Sequence, residues 1–289
     1  MTSFKFNKMR RKLLGYGILA GVTAQAWFSK IVFATPKNTS LSQIRPLGYV
    51  SDRAISDLSE RLPGIVFTSG NEEYEQSRLV WNGTVEKHPA VIIRVRSSED
   101  IRTAVEFAKE YNLGIAIKAT GHGALVPANQ DALLIDTSRM KGLSINPQEE
   151  TATFESGVTA IEFLREAQKY GLAGPTAVSP GVGMTGYTLS GGYGDLPRVF
   201  GLGSDNLLSA QVILMDGRTI TVSEKDYPDI FWAMRGGGGN FAIVTSMTVK
   251  VHPVTEVISG VLTFDIQDAY KVVRALREWN KIIPDNMTI

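Results

Sequence analysis

His122 is one of three histidines in the 289-residue chain, and it stands between two glycines in the stretch Ile117-Lys118-Ala119-Thr120-Gly121-His122-Gly123-Ala124. Two further glycine-rich segments follow: Gly181–Gly194, "GVGMTGYTLSGGYG", and Arg235–Asn240, "RGGGGN". Glycine has no Cβ, so its backbone adopts positive φ and lies close against a ligand. Each segment by itself reads most simply as a tight turn. Three in one chain, each beside a strand or helix end, can together wrap a pyrophosphate with backbone amides in place of lysines. The histidine among them is either a structural side chain with a hydrogen bond or a group that touches what the loops hold. The run Gly181–Gly186 also matches G-x-G-x-x-G, but a dinucleotide-binding turn must leave a strand and open a helix. Here the preceding run is "GLAGPTAVSP" and Ser190-Gly191-Gly192 interrupts the sequel, so that reading is rejected.

Composition narrows the chemistry. With no cysteine anywhere, disulfides, thiolate metal sites, iron–sulfur clusters and cysteine nucleophiles are excluded. The net charge of +1 hides an uneven distribution: residues 1–34 hold six basic groups and no acid, which leaves 24 basic against 29 acidic residues in the body. A body that is net acidic argues against nucleic acid as a partner and turns the search to small molecules. The leader itself, "KMRRKLLGYGILAGVTAQAWF", joins a basic start to an uncharged run from Leu13 to Ser29. It predicts an export signal over 1–34, with Arg10-Arg11 fitting the twin-arginine pattern and an uncleaved membrane anchor as the alternative. A periplasmic or extracellular location follows from it. Residues 35–50 read as a polar linker.

The elements that must position these loops alternate irregularly. "AVIIRV" (90–95) reads as a strand, Ser97 with Asp100 as a capping box, and Ile101, Ala104, Val105 and Ala108 as the inner face of a helix that Gly114 stops. "IAIK" (115–118) is then a second strand, predicted to be parallel to the first and its neighbour. The His122 loop thereby lies at the carboxyl end of a strand, where open α/β sheets bind ligands. "ALLIDT" (132–137) is another strand. A turn at "NPQEE" separates two more, and Thr159 with Glu162 caps a helix whose Ile161, Leu164 and Ala167 point inward before Gly171 ends it. Asp216-Gly217 marks a hairpin, "YPDIFWAMR" a short helix, and "NFAIVTSMTVKVHPV" one long strand. The chain reads as mixed α/β and not as a clean doubly wound sheet, and it has no internal repeats.

"TGHG", "GYTLSGGYGDLPRVFGLGSDNLLSAQVILMDGRTITV" and "FWAMRGGGGNFAIVTSMTVKVHP" closely resemble the berberine-bridge-enzyme-like FAD-linked oxidases, within the vanillyl-alcohol-oxidase type of flavoprotein. The similarity runs from about Arg45 to Val254. It implies an α+β fold, a two-lobed PCMH-type FAD-binding domain over 51–254, with only the start of a substrate-binding domain over 255–289. It also implies that His122 falls on the histidine that the family joins covalently to the flavin 8α carbon, in a loop formed by Lys118, Ala119, Thr120, Gly121 and Gly123. Lys118 stands in place of the family's arginine and Thr120 in place of a glycine. Where some members attach the flavin a second time through cysteine, this chain has Ser179, so attachment rests on His122 alone. Gly183, Gly186, Tyr187, Thr188, Gly191 and Gly192 fall on the family's flavin-contacting segment, with Ser190 replacing a glycine, and Val244 on its adenine-side strand. Tyr193 and Asp195 read as packing and solvated loop residues, and His88 and His252 as structural or exposed ones.

The implied activity is transfer of a hydride from a C–H bond of an alcohol, sugar or amine to FAD, with O₂ or another acceptor reoxidising the flavin. The alternative is a truncated or split flavin-binding module without turnover of its own, its missing substrate domain supplied by a partner chain. Apolar residues at Val261, Leu262 and Phe264 would then be uncovered.

Overall fold

Strands that are apolar at every position need cover on both faces, and this rule sets the first sheet. The computed structural model describes residues 50–123 and 128–289. The predicted export signal and all of the predicted linker except Val50 lie outside the described residues. Strands β1 (Val66–Phe67), β2 (Val91–Arg94), β3 (Gly114–Lys118) and β4 (Ala132–Asp136) form a sheet ordered β1-β2-β4-β3. β1 is antiparallel to β2, and the other pairs are parallel. β2 and β3 are therefore parallel as predicted, but they are not neighbours, because β4 lies between them. The reason is in their side chains: Val91–Ile93 and Leu133–Ile135 are completely buried, whereas β3 carries the partly exposed Ile117 and suits an edge.

Alternate residues of this sheet face two layers. Val91, Ile93, Leu133 and Ile135 pack with helices α1 (Asp52–Arg61) and α3 (Ser98–Glu110). Phe67, Ile92 and Leu134 pack with Tyr74 of α2 (Glu72–Arg78). In α3 the predicted inner face of Ile101, Ala104, Val105 and Ala108 is buried. Its start differs in one detail: Ser97 Oγ accepts from the Asp100 N–H, but the Asp100 carboxylate accepts from Arg96 N–H rather than closing a capping box on Ser97. Its end differs too. Asn112, with φ of 52°, takes the left-handed position, a role this short polar side chain tolerates, and Gly114 opens β3.

The second sheet is antiparallel, ordered β5-β6-β10-β8-β9, with β5 Leu143–Asn146, β6 Thr151–Glu155, β8 Leu207–Ile213, β9 Thr219–Ser223 and β10 Ile243–Lys250. The predicted hairpin at Asp216-Gly217 joins β8 to β9, with Gly217 at φ 86°. One face holds the core and the other is open to solvent, where Thr153 and Thr248 share a 2.9 Å hydrogen bond. The core face packs on α4 (Ala160–Ala167), α5 (Met184–Leu189) and, past the single turn α6 (Pro197–Phe200), α7 (Pro228–Gly237). In α4 the inner face is Ala160, Phe163 and Ala167, while Ile161 and Leu164, predicted inward, are only half-buried. Phe163 sets this rotation by packing edge-on to Phe154, with ring centroids 5.6 Å apart. The predicted long last strand breaks at Val251, and His252–Pro253 form β11 against β7 (Leu172–Ala173). Ile213 and Ile243 pack into the core of the first sheet and join the two lobes.

Beyond Val254 the chain runs to α8 (Ala269–Trp279), whose apolar residues Val272, Val273, Leu276 and Trp279 recur at helical spacing with none of them buried. Among the described residues, no helix is long and apolar enough to cross a membrane.

Candidate functional site

β3 delivers the His122 loop, and its last residue shows how the loop is held. The Lys118 side chain is buried, 3.5 Å from the buried Asp136 carboxylate at the end of β4, and its ammonium donates to the carbonyls of Ser77 and Leu79. Arg94 lies 3.7 Å from the same carboxylate and donates to Ser77 Oγ. Lys118 thus spends its charge on α2 and β4. Lys87 is buried close by, and burial first and the Lys118 charge second hold its ammonium below the usual lysine range. Nothing in the sequence around Lys87 signalled this burial.

Past Lys118 the chain turns at Gly121, where φ is 79°. A Cβ there would come within 3.2 Å of Val80 Cα, so only glycine serves both the turn and the contact. The Gly121 carbonyl accepts from Trp81 N–H at 3.4 Å. The His122 imidazole stacks on the Trp81 indole, with centroids 5.5 Å apart and planes 20° from parallel. Its Nε2 lies 3.6 Å from where a Cβ on Gly181 would sit. One face of the imidazole is therefore covered, and the Nε2 edge meets a residue without a side chain.

The Gly181–Gly194 segment meets this loop directly. Thr120 Oγ1 accepts from the Gly183 N–H at 3.0 Å, and Gly183 caps α5. Main-chain bonds from Ala160 N–H to Val182 O and from Met184 N–H to Val158 O fix the same turn to the start of α4. A six-residue helix after a loop pinned this way is not the long helix of a dinucleotide-binding turn, in agreement with the sequence argument. α5 packs on β10, on α7 and on the 3₁₀ turn Gly238–Asn240, so all three glycine-rich segments gather around it. Arg235 ties the third segment down by donating to Ser204 O at 2.8 Å.

Tyr187 occupies a cradle of glycines. A Cβ on Gly192 would come 2.7 Å from its ring and one on Gly203 2.8 Å, while one on Gly194 would lie 2.9 Å from its hydroxyl and collide with the Thr176 carbonyl. The hydroxyls of Tyr187 and Thr185 are buried without a hydrogen-bond partner among the described residues. Burial pushes the Tyr187 phenol up to about 12, and the Asp195 charge adds to this. Thr188 is buried, Gly186 and Ser179 are exposed, Gly191 turns at φ 98°, and Val244 is buried in the sheet core opposite Val212. Tyr193 and Asp195 are exposed. His252 stacks on Phe200 at 4.0 Å and bonds to Asn206 at 2.8 Å, the structural part expected of it. Trp81, Val80 and Ser77 complete the neighbourhood without any motif of their own to announce them.

Residues 89–223 match the FAD binding domain family. The chain is 31% identical over 237 residues to an FAD-linked oxidoreductase of Dictyostelium discoideum, across 81% of this chain and 52% of that protein. It is 31% identical over 205 residues to (R)-6-hydroxynicotine oxidase of Paenarthrobacter nicotinovorans, across 70% of this chain and 45% of that one. Among solved structures, 6-hydroxy-D-nicotine oxidase from Arthrobacter nicotinovorans superposes with a TM-score of 0.63 at 31% identity, over 66% of this chain and 43% of the other. Xylooligosaccharide oxidase from Myceliophthora thermophila C1 does so with 0.63 at 29%, over 69% and 43%. The fold and the glycine loops define a PCMH-type FAD-binding domain. Through that domain the chain is similar to FAD-linked oxidoreductases and to the berberine-bridge-enzyme-like flavoproteins. It spans about half the length of the curated relatives it matches.

The residues present fit the cofactor. Two orphaned hydroxyls on α5 each represent roughly 1–3 kcal/mol of unmet polar burial, which a polar ligand beside the helix would relieve. Glycines where a Cβ would intrude, and an imidazole with one open edge, supply close backbone approach and a point of attachment.

Proposed function

We propose that the chain binds FAD between the His122 loop and the Gly181–Gly192 segment and serves as the flavin module of an oxidoreductase acting on small molecules. The observation that carries this reading is the Thr120–Gly183 hydrogen bond, which joins the only histidine-bearing glycine loop to the helix with the orphaned hydroxyls. FAD, when bound, supplies a hydride acceptor; the protein supplies binding and orientation. Lys118, Ala119, Thr120, Gly121, Gly123, Ser179, Gly183, Gly186, Tyr187, Thr188, Gly191, Gly192 and Val244 are the residues assigned to it. Hydride comes from a C–H bond of an alcohol, sugar or amine, the range spanned by relatives named hydroxynicotine, xylooligosaccharide and carbohydrate oxidases. O₂ or another acceptor then takes the electron pair.

His122 would hold the flavin by a bond from its imidazole to the 8α carbon in place of a C–H bond, with O₂ as the two-electron oxidant. A tethered cofactor suits an exported protein, which meets no FAD outside the cytoplasm, and the basic leader supports that location; protease protection in spheroplasts tests it.

A second reading, a flavin module completed by a partner chain, is favoured by the bare apolar surface past Val254, where Ile258 is 98% and Val261 90% exposed. The deciding experiment is acid precipitation. Wild type is expected to keep yellow, fluorescent flavin in the washed pellet and His122→Ala to lose it. Flavin released from both means a non-covalent site, and no flavin in either overturns the proposal.

A further inference from the structure

Five contacts converge on the His122 loop from one short segment of chain, Ser77–Trp81, some forty residues earlier in sequence. Lys118 donates to the carbonyls of Ser77 and Leu79. Gly121 packs against Val80, its carbonyl accepts from Trp81 N–H, and the Trp81 indole lies flat on His122. The segment is stiff at its own root, since Arg94 bonds Ser77 and α2 buries Tyr74, whose hydroxyl donates to Pro89 O at 2.8 Å. Trp81 itself is 73% exposed, so its indole is not there to fill the core.

We propose that Ser77–Trp81 is a splint for the histidine loop and that Trp81 is the positioning residue for flavin attachment. This rests on the reading of His122 as the attachment point. A histidine between two glycines has wide rotational freedom, and a nucleophile that must meet one carbon of a large ligand gains rate from being held. Trp81 restricts the imidazole to one plane by stacking, and Gly181 keeps its Nε2 edge clear. The same contacts assign a further role to Lys118: its bonds to the Ser77 and Leu79 carbonyls anchor the loop's entry to the splint, while Asp136 pairs its charge.

The test uses the full chain with FAD and three variants, Trp81→Ala, Trp81→Phe and His122→Ala. The readout is the rate at which acid-stable flavin accumulates in apoprotein mixed with FAD, alongside the total FAD held. Trp81→Ala is expected to attach flavin roughly 10- to 100-fold more slowly, with total FAD binding kept, and Trp81→Phe to recover most of the rate because a flat ring is restored. Trp81→Ala attaching flavin at the wild-type rate would overturn the proposal. Wild type that attaches none would instead remove the reading of His122 on which it rests. Proton NMR of the flavin-free protein gives an independent arm. Ring-current shifts should displace the His122 ring protons in wild type and vanish in Trp81→Ala; resonances unmoved by the substitution would also overturn it. An unfolding transition retained by Trp81→Ala keeps both arms interpretable, as its exposure leads one to expect.

Discussion

Tyr187 shows how a single buried atom can set opposite signs for stability and binding. Its hydroxyl has no partner among the described residues, so the folded apoprotein carries an unmet polar group. Tyr187→Phe removes that group without changing the ring that Gly192 and Gly203 accommodate. The variant apoprotein is expected to be more stable by about 1 kcal/mol, or 2–4 °C in Tm for a domain of this size, and to bind FAD more weakly; calorimetry with a flavin titration reads both. The phenol also predicts a pH dependence. Its folded value, about 12, lies above the ordinary tyrosine value of 10, so between these the unfolded chain gives up a proton that the folded chain keeps. Stability from this group is full below pH 10 and falls as pH rises toward 12. Tyr74 is raised by burial as well and adds to the alkaline loss. The difference between wild type and Tyr187→Phe in urea melts from pH 9 to 11 isolates the share of Tyr187.

Among elements, the join of β3 to β4 is where charge and topology meet. Asp136 is shared by Lys118 and Arg94 and also accepts from Ser138 N–H at 2.9 Å. Asp136→Asn would leave two cations with no carboxylate and is expected to cost roughly 3–5 kcal/mol, measured by chemical denaturation, with the His122 loop losing its anchored entry. Much of this layer was legible in advance. Apolar spacing picked out α3 and its buried face, Asp-Gly marked the β8–β9 hairpin, and Thr159 with Glu162 marked the start of α4, where the Glu162 carboxylate accepts from both the Thr159 N–H and hydroxyl. What escaped the reading depends on contacts distant in sequence. Neighbours in sequence were paired as neighbours in space, although complete burial sends β4 to the centre. The position of Phe163 against Phe154 rotated α4 by about one residue. Trp81 was invisible because its partner lies forty residues away and nothing about an exposed indole in a polar loop points to it.

At the scale of the molecule, the contrast is between a well-buried two-sheet body and the run from Thr255 to Ile289. In that run, among large apolar side chains only Ile283 is buried, and Arg198 holds its end by contacts to Ile283 O and Asp285. Its other apolar side chains are solvated at a scale that marks a surface for association. Ending the chain after Val254 is expected to leave Tm within about 3 °C, because little of the core is removed. Sedimentation velocity should show concentration-dependent association in the full chain and a monomer in the shortened one. A large drop in Tm would mean that the tail braces the body.

The strand order has one more consequence, and it concerns time. Because β4 separates β2 from β3, the segment between β3 and β4 is the crossover that two parallel strands require, and His122 sits on it. The unit β2-α3-β3 can be synthesised and remain unclosed, with Lys118 facing no carboxylate, until Ala132–Asp136 slots in. A nascent chain therefore carries its histidine before it has a fixed loop to present it. The loop gains its anchored entry at the moment the sheet is completed, while the Gly181–Gly192 segment that meets it is still to be made.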